Sequence, residues 1–216
     1  MPHAAPIGSG VEAAPSRGWL GRRSEHRRLF AHLEHQAAVV HQGAALLVQP
    51  AASAVVDRAA ASVEAEGERV AAEIEIRLRR SFMLRIDRED LHRLSSELGG
   101  ALSVVLRGAR SAALLGAPAT FAVAGPVVGC TEATAGAVRS LGEGDYGAVS
   151  GFCRQLRGAL RDALRARDEA LAATLRGTRE PQALVRESLM LDDVKAILRR
   201  LGVVTDVLAY VAVKNA

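Results

Sequence analysis

The chain has 216 residues, enough to bury a real core in one domain or two small ones, and 49% of them are apolar. Those residues are mostly Ala, Leu and Val, with only 3% aromatics, which favours helices packed through small side chains over a β-sandwich. The net charge of +4 is spread over interspersed residues of both signs, so nucleic-acid binding is not favoured.

The first residues are rich in Pro, Gly, Ala and Ser, and 1–20 reads as a disordered tail. Arg22-Arg23 is not followed by an apolar signal core. Together with only two cysteines, Cys130 and Cys153, this suits reduced thiols in the cytoplasm.

Six helices are expected from there. The first spans 24–48, with Phe30, Leu33, Ala37, Val40, Ala44 and Leu47 on one face. His32 and His35 lie three apart on it with no cysteine near in sequence, so exposed histidines are expected rather than ligands. After Pro50 a second helix spans 52–84, and Val56, Val63 and Val70 repeat every seven residues along its seam. Glu64 and Glu68, four apart, share a face and could hold a hard metal only if another helix supplied more oxygen ligands.

The third helix runs from Asp87 to Leu115. Asp87 suits the N-cap position, and Glu89 and Asp90 place carboxylates at the positive end of the helix dipole. Leu91, Leu94, Leu98, Leu102 and Val105 make its buried stripe, with Ser96, Gly99, Gly100 and Ser103 opposite. The uncharged stretch 111–131 is long enough to span a bilayer, but its Pro118, Pro126 and glycines favour a helix end, a turn and a new start.

Helix four covers 119–141. Helix five covers 146–175, with Arg154, Arg157, Arg161 and Arg165 in a basic stripe. Helix six runs from Pro181, a favoured first-turn residue, to Lys214; Met190, Val194, Ile197, Leu201, Val204, Leu208 and Val211 repeat along it without a slip. The predicted architecture is all-α: two three-helix antiparallel bundles side by side, repeats at about 24–115 and 119–214 of a 21–216 domain.

Three motifs carry a family resemblance. F-M-L-R-I-D-R-E-D-L at 82–91 resembles the signature joining helices two and three of PhoU-like phosphate-transport regulators, nearest to the branch encoded beside Pit-type permeases, although Leu84-Arg85 replaces the usual threonine-proline. Glu64-Ala-Glu66-Gly-Glu68 resembles that family's E-x-E-A-D motif, and V-A-V-K-N-A at 211–216 is similar to its last helix. The helix-start signature is therefore Asp87, Arg88, Glu89 and Asp90. Glu180-Pro181 and Arg186 stand where the family usually has Asp-Pro and Lys.

The resemblance implies a six-helix PhoU-like fold and carboxylate clusters for iron or a similar metal, one per repeat. Carried over, the first cluster would draw on Glu64 and Glu68, a partial site for a divalent or ferric ion, but its helix-three positions fall at Gly99, Gly100 and Ser103. The second would fall at Arg161, Arg165, Lys195 and Arg199, all basic. These four either pair with Asp162, Asp168 and Asp192 or form a patch for an anion or partner. No catalytic constellation is visible.

The expected function is a non-enzymatic cytoplasmic regulator or accessory of phosphate transport. Its partner would be a Pit-type phosphate permease or another regulatory protein, with membrane association only through that partner and a homodimer as an option. The alternatives are a structural or oligomerisation module without metal or phosphate roles, and a carboxylate metal-binding protein retaining one site.

Overall fold

The computed structural model describes residues 17–49, 52–80, 84–116, 119–177 and 180–216. It is all-α: α1 (Arg17–Ala45, extended by a 3-10 turn Leu46–Val48), α2 (Ser53–Arg80), α3 (Arg88–Leu115), α4 (Ala119–Glu143), α5 (Tyr146–Arg176) and α6 (Pro181–Asn215). Phe82 of the helix-start signature and Pro118 of the expected turn lie outside the described residues.

Two boundaries differ from expectation. Residues 17–20, placed in the tail, are the first turn of α1; Gly18 and Gly21 lower local helix propensity, yet the helix propagates through them. α2 ends at Arg80, and Leu84 is already non-helical.

The caps follow from local chemistry. The Asp145 carboxylate accepts from the Ala148 N–H at 2.8 Å and starts α5. Gly116 closes α3 in the left-handed region at φ 57, where a Cβ would be strained, and donates to the Ala112 carbonyl at 2.9 Å. The uncharged stretch 111–131 is therefore split between two helices. Among the described residues α3 alone has the length and composition to cross a membrane, and it packs against α1, α2 and α6.

Helices α1–α3 form one bundle and α4–α6 the other, joined where α1 packs on α4 and α3 on α6. The junction pairs run antiparallel: Glu97 meets Arg200 while Arg107 meets Asp193, and Glu34 meets Arg139 while His41 meets Thr131. The four inner helices form a block, with α2 over the α1–α3 side and α5 over the opposite α4–α6 side. All six contribute to one continuous core, so the two repeats share a single interior.

Glycines set the closest approaches. A Cβ on Gly67 of α2 would lie 2.3 Å from the Leu102 side chain, and one on Gly43 of α1 only 3.2 Å from it. Leu102 fills the slot that both glycines leave open.

Candidate functional site

The acidic face of α2 faces the wrong partners for a metal. Glu64 accepts a charge-assisted hydrogen bond from Arg110 Nη2 at 2.7 Å. That pair and the Gly67–Leu102 contact fix the α2–α3 register. It puts two of the three carried-over helix-three positions elsewhere: Gly99 lines a cleft with Ala71, Ile74 and Glu75, and Gly100 lies beneath the Arg200 guanidinium of α6. A Cβ at 100 would approach Arg200 Nη2 to 2.0 Å, and that arginine pairs with Glu97 at 2.9 Å. Gly100 thus admits a cation's side chain.

Among the described residues no three His, Cys, Asp or Glu side chains converge as a metal would need. Among the described residues Glu64 is engaged by an arginine and glycines stand at two of the carried-over ligand positions, so the pair gathers no further carboxylate.

His32 and His35 are a second departure. Neither is free on the surface: His32 Nε2 lies 3.3 Å from Glu73 and His35 Nε2 3.1 Å from Glu66. Arg69 bridges both carboxylates at 2.7 Å, and its hydrogen bond holds the Glu66 carboxyl below the usual range. The partners come from α2, distant in sequence.

On α5 and α6 the expected cations fall at matching levels along the two helices. The pairs Arg157–Asp206 (3.0 Å) and Arg167–Asp192 fix an antiparallel register in which Arg161 is level with Arg199 and Arg165 with Lys195. None of these four has an ion-pair partner among the described residues, and all but the half-buried Lys195 are exposed. Asp168 and Asp192, offered as their partners, are both taken by Arg167, whose Nη1 reaches Asp168 at 2.8 Å.

Arg167 is itself 4% exposed, and its Nε donates to the Leu191 carbonyl at 3.0 Å. About two turns along α5, the buried Thr174 hydroxyl donates to Glu187 at 2.8 Å. These two buried polar contacts lock α6 on α5, and Arg167 gave no sign of burial beyond falling seven residues after Leu160. The exposed arginines flank a shallow groove of about 540 Å3 lined by Arg154, Arg157, Leu160, Arg161, Gly202 and Asp206. Rigid helices thus hold a row of guanidinium groups suited to carboxylate or phosphate oxygens.

The helix-start signature does structural work with the last helix. Lys214 Nζ reaches Asp87 at 2.5 Å and Asp90 at 2.8 Å, so the motifs at 82–91 and 211–216 meet in space. Asp87 sits at the N-cap position of α3, but its side chain makes no capping bond because it binds Lys214 instead. Glu89 is exposed, and Arg88 opens the helix at its surface.

Burial pushes the Cys130 thiol up to about 11, and it also raises Cys153, which lies 3.7 Å from the Thr205 carbonyl. Both are free, buried and protonated near neutrality, unlike an activated nucleophile.

This arrangement defines an all-helical protein of PhoU-like fold with carboxylates and arginines interspersed on one outer helix, α2, and a basic stripe on the other, α5. The comparison with solved structures agrees: the chain is similar to a PhoU-like protein from Shewanella oneidensis MR-1, with a TM-score of 0.65 at 11% identity, over 89% of this chain and 99% of that one. At that identity the likeness speaks for the fold. No family model and no curated protein matches the sequence.

Proposed function

We propose that this protein is a non-enzymatic, cytoplasmic regulator or accessory of phosphate transport that acts by protein contact on a Pit-type permease. The observation that carries the reading is the basic face of α5 and α6. In a PhoU-like fold, Arg161, Arg165, Lys195 and Arg199 come into register without carboxylate partners among the described residues. Four cations repel any metal ion and attract carboxylates or phosphate, so this face suits the acidic cytoplasmic segments of a partner rather than a bound metal.

The test is capture of a Pit-type phosphate permease from detergent-solubilised membranes on the tagged full chain, beside an Arg161→Glu/Lys195→Glu variant. The wild type should retain the permease and the variant should lose at least about nine-tenths of it, since two reversals turn attraction into repulsion at the contact. Equal retention by both, or none by either, would overturn the proposal.

A further inference from the structure

We infer that copies of this chain associate head to tail, a row of carboxylates on α2 of one copy docking on the basic row of α5 of the next. The inference starts from the buried seams of the two outer helices. Val56, Val63 and Val70 on α2 have counterparts in Cys153, Leu160 and Arg167 on α5, each seven residues apart and turned inward. Aligning the seams sets Asp57, Glu64 and Glu68 at the positions of Arg154, Arg161 and Arg165. At three equivalent outward places, the first repeat carries an anion and the second a cation.

The spacing along each helix is identical, about 16 Å from first to last charge at 1.5 Å per residue. Asp57, Glu68, Arg154, Arg161 and Arg165 are exposed, and Glu64 keeps 44% of its side chain accessible beside Arg110. Arg58 and Arg69 project about a third of a turn away from the acidic row. Arg79 pairs with Glu75 beyond its end. On the other face, Lys195 and Arg199 of α6 widen the basic row, while Asp206 is engaged by Arg157.

Asp57 and Glu68, with the Arg110-paired Glu64 between them, therefore match the row of three cations by length and interval. The fitting occupant of either face is a second copy of the chain.

The fold dictates the kind of assembly. Because α2 and α5 cover opposite sides of the four inner helices, one copy cannot offer both to the same neighbour. The contact is heterologous, and repeated operation gives chains or a ring. Being made of exposed charges, it is weak and salt-sensitive. It also occupies the cations assigned above to a permease, so partner binding and self-association exclude each other. The experiment uses the purified chain alone, and its failure would leave permease capture untouched.

The experiment is sedimentation velocity of the full chain from about 10 to 500 μM, at about 20 mM and 500 mM salt, where screening differs strongly. It includes Glu64→Arg/Glu68→Arg, Arg161→Glu/Arg165→Glu and their equimolar mixture. The expected result is association of the wild type at low salt and 22.7 kDa monomers at high salt. Each variant alone should shift the association constant at least about tenfold weaker. The mixture should recover association, because reversed α2 faces reversed α5. A monomeric wild type at low salt would overturn the inference. So would self-association of both variants at the wild-type level, or a mixture that stays monomeric. Far-ultraviolet circular dichroism of each variant separates lost contact from lost fold.

Discussion

Lys214 Nζ lies 2.8 Å from the Asp90 carboxylate and ties the last turn of α6 to the first turn of α3 across the junction of the two bundles. Asp90 is only 8% exposed, and Asp87 takes a second hydrogen bond from the same ammonium. These bonds hold the Lys214 ammonium well above the usual lysine range. Its contribution to stability is therefore complete below the unfolded lysine value and constant across the pH range in which the protein would be handled.

Lys214→Met should lower the melting temperature by a few degrees, mainly by leaving Asp90 buried without a counter-charge. Asp90→Asn added to Lys214→Met should restore part of the loss, because a neutral amide is cheaper to bury. Differential scanning calorimetry of the double-mutant cycle reads this. A Lys214→Met protein that melts with the wild type would show the clamp to be idle.

Acid should weaken the fold through two histidines of α1. Burial, aided by Arg85, depresses His26, and burial aided by Arg77 depresses His32 despite the Glu73 carboxylate. A folded imidazole titrating below its unfolded value of about 6.5 takes up its proton later than the unfolded chain does. Stability is then full above that value and falls as pH drops through the folded one. Thermal melts at pH 7.5 and 5.5 should differ, and His26→Gln/His32→Gln should narrow the difference. An unchanged difference in the double variant would assign the acid sensitivity to other groups.

Two alanine substitutions should have opposite signs. Gly67→Ala places a methyl 2.3 Å from Leu102, which is itself held under Gly43, so overpacking should outweigh the better helix propensity and cost about 1–3 kcal/mol. Gly151→Ala meets nothing within 4 Å on α5 and should stabilise by up to about 1 kcal/mol. Urea denaturation distinguishes them. Equal effects would mean that the α2–α3 approach does not depend on Gly67.

Much of this fold was legible in the chain. The unbroken three-four spacing from Met190 to Val211 marked α6, and the Val56–Val63–Val70 seam marked the inward side of α2, because an amphipathic helix writes its buried face into its own period. The basic stripe of α5 was visible for the same reason. What the period could not carry was the register between helices. Carried-over motif positions set Gly99, Gly100 and Ser103 opposite Glu64 and Glu68, whereas the structure brings Arg110 to Glu64 and Leu102 to Gly67. The histidines looked solitary because Glu66 and Glu73 approach from another helix.

The sequence by itself determined six helices, their inward faces and the basic stripe of α5. These are local properties, set by propensity and by spacing along one helix. Only the tertiary structure decided which side chains meet. It gave Asp87 and Asp90 to Lys214, Asp168 and Asp192 to Arg167, and Glu64 to Arg110, and among the described residues it left Arg161, Arg165, Lys195 and Arg199 unmatched. Packing of small and large residues at a few crossings fixes those registers, and a sliding pair of helices would change every one of them.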